Sequence, residues 1–219
     1  IALGSYSGCG LFGFSCGRAG LLRRKKVDLA LLSETDLLKT DAGRLADKFY
    51  HVIAFSSAST KIRGVTIVAK RKLNIKVLDV WADTTGRITI AKVEYSNRKI
   101  ALVSAYAPNS FEGDFYNVLT TAMLELTDYS FIVGADFNAV WDPAIDRSRG
   151  FETTDQRRAS TALRAWAHDT GLVDQWRLIN PSSKYFSFFS SRHKTVSYDF
   201  NRLGPLITHV IQTWRNAQK

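Results

Sequence analysis

At 219 residues, 45% of them hydrophobic, the chain carries enough apolar material for a substantial core, which excludes a disordered segment and leads to the expectation of one compact domain over residues 1–219. Thirty Lys and Arg against twenty Asp and Glu leave +10 at neutral pH, which favours a polyanionic partner because each neutralised phosphate releases counterions. Cys9 and Cys16 alone, with no further Cys or Cys/His pair, exclude a zinc knuckle or a disulfide framework and fit a reducing compartment.

No apolar run approaches the length of a membrane span. Ile1-Ala2-Leu3-Gly4 lacks both Met and the basic-then-apolar order of a signal peptide, so a piece of a longer protein is expected. Leu11 to Leu22 is rich in Gly and runs into the basic stretch Arg23-Arg24-Lys25-Lys26. Gly13, Gly17 and Gly20 each cost a helix there about 1 kcal/mol against Ala.

Short β-branched runs predict strands at Asp28 to Ser33, Gly64 to Ala69, Arg87 to Glu94, Ile100 to Tyr106 and Ser130 to Gly134. Leu29-Ala30-Leu31-Leu32 and Phe131-Ile132-Val133 are apolar without alternation, as in strands buried on both faces. Phe115, Leu119, Met123 and Leu126 fall about one helical turn apart. A second helix is expected after a cap at Thr154 or Asp155; it places Leu163, Trp166, Ala167 and Thr170 on one face and ends at Gly171. Clustered strands with inserted helices and no βαβ repeat predict an α/β fold of two packed sheets flanked by helices.

Polar residues follow the buried runs directly. Glu34 comes after Leu31-Leu32-Ser33, Tyr106 and Asn109 after Ala101 to Ala105, and Asp136 and Asn138 after Phe131 to Ala135. Strands that each end in a carboxylate, amide or phenol bring those groups to one sheet edge, where ligands commonly bind. Any one of them alone is equally a turn former.

Together these segments resemble a known family. Leu32-Ser33-Glu34-Thr35-Asp36-Leu37 is similar to "QETHL", Tyr106-Ala107-Pro108-Asn109 to "YAPN", and Gly134-Ala135-Asp136-Phe137-Asn138 to "GGDFN", motifs of apurinic-type endonucleases in the endonuclease/exonuclease/phosphatase superfamily. Asp142-Pro143 through Asp146-Arg147-Ser148, Gly171 to Arg177, Asn180-Pro181 and Ser187-Phe188-Phe189-Ser190 resemble the branch found in LINE-type retrotransposons, in family order from about Ile1 to Phe200.

The resemblance implies a DNase I-like four-layered α/β sandwich of two mixed β-sheets and a Mg²⁺-dependent phosphodiesterase, with Mn²⁺ as an alternative cation. It implies Glu34 as metal ligand, Asp136 as the group that orients or deprotonates water, and Asn138 as the group that positions phosphate and water. Tyr106 becomes a donor to phosphate, and Asn109 a support for the neighbouring loop and Asp136. Asp199, in Ser197-Tyr198-Asp199-Phe200, takes the place of the Asp in "SRIDY". Arg147, Ser187, His193 and Lys194 become DNA contacts, the partner double-stranded DNA, the full-length context a polyprotein with a reverse transcriptase, and the compartment the nucleus, with the cytoplasm as alternative.

The chain departs from the family at four places. Ser7 stands where an Asn helps bind metal or phosphate, and Cys9 at the next polar position; Asp36 replaces a His. After Phe200, Leu203-Gly204-Pro205 interrupts the expected strand, residues 201–219 diverge, and no "SDH" follows; His209 lacks the preceding Asp, so the catalytic His is not transferred to it. Three functions are therefore weighed: a target-nicking endonuclease, a catalytically impaired DNA-binding derivative, and a phosphatase of the same superfamily.

Overall fold

The computed structural model describes residues 1–7, 17–142, 146, 153–182 and 210–212. Four strands, β1 (Leu3–Ser7), β2 (Leu29–Ser33), β3 (Tyr50–Ser56) and β4 (Val65–Lys70), form a mixed sheet in the order β1-β2-β4-β3. Six more, β5 (Lys76–Ala82), β6 (Ile88–Tyr95), β7 (Arg98–Tyr106), β8 (Ser130–Asp136), β9 (Val173–Asp174) and β10 (Val210–Gln212), form a second in the order β5-β6-β7-β8-β10-β9. In each, one parallel pair, β1/β2 or β7/β8, is combined with antiparallel neighbours.

Side-chain alternation along the strands explains why the sheets stack. Leu29 and Leu31 of β2 face Leu102 of β7 and Ile132 of β8 in a cluster shared between the sheets. Ala30 and Leu32 point the other way, onto Leu22 of α1 (Gly17–Arg24) and Leu45 of a 3₁₀ helix (Lys39–Leu45). Ala101, Val103, Val133 and Ala135 meet Leu119 of α2 (Gly113–Leu124) and Leu163 and Trp166 of α3 (Thr154–Thr170). The result is the expected four-layered α/β sandwich. Burying a side chain such as Leu31 or Leu102 contributes roughly 1.5–3 kcal/mol.

The sheets approach closely beside the site. A Cβ on Gly134 would lie 2.5 Å from Leu31 Cδ1 and 2.8 Å from Leu31 Cβ, and the Ser104 hydroxyl donates to the Leu32 carbonyl at 3.1 Å. Gly134 therefore serves a backbone approach between sheets.

The five predicted strands and both helices are present, with shifted ends. β8 continues through Asp136, so that carboxylate closes the strand rather than following it. The cap of α3 is Thr153, not Thr154 or Asp155: its extended backbone lets the hydroxyl accept from Gln156 N at 3.2 Å while Gln156 Oε1 accepts from Thr153 N at 3.1 Å. Gly171 ends the helix in the left-handed conformation, as expected. In the Gly-rich N-terminal segment a helix covers Gly17–Arg24, with Arg23 and Arg24 in its last turn, where they complement the helix dipole. Strands β1, β3, β5, β9 and β10 lie outside those five β-branched runs. Among the described residues no helix is long and apolar enough to cross a membrane.

Candidate active site

Two parallel ladders end at the same edge of the sandwich. In the first sheet Ser7 of β1 is in register with Ser33 of β2, and the chain leaves β2 at Glu34. In the second, Tyr106 closes β7 directly opposite Asp136 at the end of β8. Parity places Tyr106 and Asp136 on the same sheet face as Leu102 and Ile132, toward the other sheet. The strand-end groups read from the sequence thus converge between the sheets.

Tyr106 is the hub. Its ring is buried, and its hydroxyl donates to Asn109 Oδ1 at 3.2 Å. Burial first, then hydrogen bonding to Glu34 and that residue's charge, then the charge of Asp136, push the phenol far above its ordinary value of 10.0, against an opposing hydrogen bond to Asn138. The phenol therefore stays protonated through the physiological range and acts as a donor.

Asn138 fastens the two loops. Its backbone N–H donates to Asp136 Oδ1 at 3.1 Å, and its Nδ2 donates to the Ala107 carbonyl at 2.8 Å. The ladder extends one step further, with Ala107 N donating to the Asp136 carbonyl at 2.8 Å. This amide bridges the 106–109 loop to β8, while Asn109 contacts Tyr106.

Strain concentrates here. Glu34 and Asn138 have φ of 50° and 48°, and Asp36 and Arg63 have 52° and 66°. A left-handed non-glycine residue costs roughly 1–2 kcal/mol and persists where its surroundings impose it. The imposing bonds run from Thr35 N to the Gly64 carbonyl at 3.0 Å, from Asp36 N to the Arg63 carbonyl at 2.6 Å and from Gly64 N to the Gly86 carbonyl at 2.9 Å. They lace three loops together and fix the half-buried Glu34 at the strand end.

Arg87, in the sequence no more than the first residue of an expected strand, also belongs to the site. Its Nη1 donates to the Tyr106 carbonyl at 3.1 Å and its guanidinium lies 5.6 Å from the Tyr106 ring centroid. Burial, then the nearby Arg63, lower its pKa, yet a guanidinium remains charged, so Arg87 supplies a cation beside the Tyr106 ring. A basic residue one position before a strand antiparallel to the "YAPN" strand was the available signal.

Among the described residues no group of three or more His, Cys, Asp and Glu forms a metal cluster. Glu34 and Asp136 instead place two carboxylates around Tyr106. That fits Mg²⁺, which takes one or two carboxylates and keeps several waters, rather than a closed zinc cage.

Asp199, Arg147, Ser187, His193 and Lys194 lie outside the described residues, as does the Ser7 side chain. Asp146, the neighbour of Arg147, is described: it pairs with Arg177, and its Oδ2 accepts from Asp142 N at 2.7 Å. Val210, which follows His209, is registered with Gly134, two residues before Asp136.

The fold matches solved AP endonucleases. The AP endonuclease LMAP from Leishmania major superposes with a TM-score of 0.75 at 17% identity, covering 96% of this chain and 78% of that one. The catalytic domain of Xenopus laevis APE2 gives 0.74 at 15% identity, covering 97% and 82%. The endonuclease domain of TRAS1, a telomere-specific non-LTR retrotransposon, gives 0.60 at 14% identity, covering 96% and 84%.

The chain therefore shares the DNase I-like α/β sandwich fold of these AP endonucleases. In sequence, the chain is 30% identical over 139 residues to a Xenopus laevis protein described as the transposon TX1 uncharacterized 149 kDa protein, across 61% of this chain. The match spans 10% of that relative's length. No family model matches the chain.

Proposed function

We propose that the chain is a Mg²⁺-dependent DNA endonuclease domain of a LINE-type retrotransposon protein, which nicks one strand of a duplex and acts in the nucleus within a longer polyprotein that includes a reverse transcriptase. The observation that carries this reading is the convergence of Tyr106, Asp136 in register beside it and Glu34 at the joint edge of two sheets. The retrotransposon lineage is supported by the likeness to the transposon TX1 protein and to the TRAS1 endonuclease domain.

Glu34 would hold the cation with water completing its shell, and the bound ion would supply charge neutralisation at the phosphate. Asp136 accepts the proton of the attacking water, whose oxygen bonds to phosphorus as the bond from phosphorus to the 3′ oxygen breaks. The leaving oxygen takes a proton from solvent water and becomes a 3′-hydroxyl, and the other fragment keeps a 5′-phosphate. Tyr106 donates to a phosphate oxygen as charge develops there. Asn138, with Nδ2 committed to Ala107, offers its Oδ1 to the water. Asp199, Arg147, Ser187, His193 and Lys194 complete the proposal as catalytic support and DNA contacts.

A second reading, a DNA-binding derivative with impaired catalysis, is favoured by Ser7 in place of Asn and by the missing "SDH". Nicking of supercoiled plasmid with Mg²⁺ decides between them. Nicking by the parent chain that is abolished in both Glu34→Ala and Asp136→Ala supports the endonuclease; no difference from those variants, with salt-sensitive DNA binding intact, supports the derivative. His209→Ala belongs in the same assay, because His209 immediately precedes the strand registered beside β8. Hydrolysis of a soluble phosphate ester without nicking would move the proposal to a phosphatase.

A further inference from the structure

The strands that deliver acidic groups to the active-site edge carry a basic surface at their other ends. β4 runs antiparallel to β2, with Leu29 opposite Ala69, and β3 runs antiparallel to β4, with Tyr50 opposite Lys70. The turn after α1, the segment before β3 and the turn after β4 therefore meet at one end of the first sheet. That end lies about 15 Å from Glu34, a five-residue strand at the usual rise.

Hydrogen bonds fix these three segments. Val27 N donates to the Leu22 carbonyl at 3.0 Å, and the Tyr50 hydroxyl donates to the Val27 carbonyl at 2.7 Å. Arg71 N donates to the Phe49 carbonyl at 2.8 Å, and its Nε donates to the Asp47 carbonyl at 2.9 Å.

Arg23, Arg24, Lys26, Lys48, Arg71 and Lys72 are all exposed there, and among the described residues none of them pairs with a carboxylate. The local acids are used internally. Asp28 pairs with Lys70 at 2.7 Å and accepts from Ala2 N at 2.8 Å, and Asp47 accepts from the N–H groups of Phe49 and Tyr50, both at 2.7 Å.

In the middle stands Phe49, 39% exposed, with the Arg23 guanidinium 4.7 Å and the Lys48 ammonium 5.2 Å from its ring centroid. Cations interleaved with an exposed aromatic ring are the chemistry of a single-stranded polynucleotide site, where phosphates meet the cations and an unpaired base stacks on the ring. A duplex keeps its bases stacked within and has no use for the ring.

We propose that this surface, on the far side of the first sheet from the candidate active site, binds a single-stranded polynucleotide, with Phe49 and Arg23 as the stacking platform and Lys48 and its basic neighbours on the phosphates. The proposal does not depend on catalysis. Its test measures fluorescence anisotropy of labelled oligouridylate and oligothymidylate in the Glu34→Ala chain, where cleavage cannot interfere.

Arg23→Glu/Lys48→Glu is expected to weaken binding at least tenfold and to lower the slope of log K against log salt by about 1.4, since each neutralised single-strand phosphate contributes roughly 0.7. Phe49→Ala should weaken binding about tenfold with the slope unchanged, and Phe49→Trp should retain it, which separates stacking from folding. Plasmid nicking by the otherwise unaltered chain should survive all of these substitutions. The ratio of uridylate to thymidylate affinity tells an RNA ligand from a DNA one. An equal weakening by Arg157→Glu/Arg158→Glu on α3 would reduce the effect to net charge and overturn the proposal, as would unchanged binding in Phe49→Ala.

Discussion

The two ends of the first sheet are built from the same strands and differ in chemistry. At the end where β2 runs out, Glu34 is half-buried at a φ of 50°, and its neighbour Tyr106 is desolvated. At the end where β2 begins, the cations are exposed and turn hydrogen bonds hold the backbone, with Lys26 at a φ of 53°. Desolvation, with left-handed backbone at Glu34, Asp36 and Arg63 together, marks the end that demands fixed geometry, because a reacting phosphate tolerates little displacement. An electrostatic surface works with mobile side chains and needs only charge of one sign.

The comparison can be broken by substitutions that act on one end and leave the other intact. The largest effect is expected from Asp136→Ala and Glu34→Ala, each lowering plasmid nicking by roughly a thousandfold or more with little change in melting temperature; the magnitude is that of losing a group that acts on transition-state charge. Tyr106→Phe removes only the donor, so a loss of about a hundredfold in kcat with KM nearly unchanged is expected in steady-state kinetics. A proportional rise in KM instead would show that the phenol binds ground state and transition state alike.

Gly134→Ala tests the close packing between sheets that lies beneath the site. The added methyl meets Leu31 at 2.5 Å, and overpacking of this kind costs about 1–3 kcal/mol, measurable by denaturant unfolding. Thr153→Ala removes the cap of α3 and should cost about 1 kcal/mol in the same measurement.

The smallest effect is expected at the basic end. The backbone N–H of Ala2 and then Lys70 hold the Asp28 carboxyl below its ordinary value of 3.8. A depressed carboxylate stabilises the fold above its unfolded pKa, and that stability is lost as pH falls through the folded value. Asp28→Asn should therefore lower stability at neutral pH by less than about 1 kcal/mol, because the pair is partly solvated, and parent and variant should converge on acidification below about pH 3.8. A difference that persisted in acid would assign the effect to lost packing.

What could be read before the fold was known follows from burial. β2, β4, β7 and β8 are apolar on both faces because layers cover them above and below, and that leaves continuous runs of Leu, Ile, Val and Ala. β5 left no such trace: all seven of its residues are exposed at the sheet edge, and its register with β6 shifts between Val77 and Asp79, so neither burial nor alternation marks it. β3 carries a similar shift between Val52 and Ala54, which breaks the period of two. β9 and β10 hold two and three residues and depend on pairing with distant chain.

For the site, the sequence by itself determined which groups end the buried strands: Glu34, Tyr106, Asp136 and Asn138 are visible because each follows or closes an apolar run. Only the tertiary structure decided that Tyr106 faces Asp136 in register, that Asn138 bridges to Ala107, and that Arg87 stands against the phenol. Those contacts cross between segments tens of residues apart, and the hydrogen bonds and charges that set the state of Tyr106 exist only once two sheets bring them together. The basic end follows the same rule. Arg23 to Lys26 is a plain charge run in the chain, and it becomes a surface around Phe49 because antiparallel strands return residues 48 and 71 to its side.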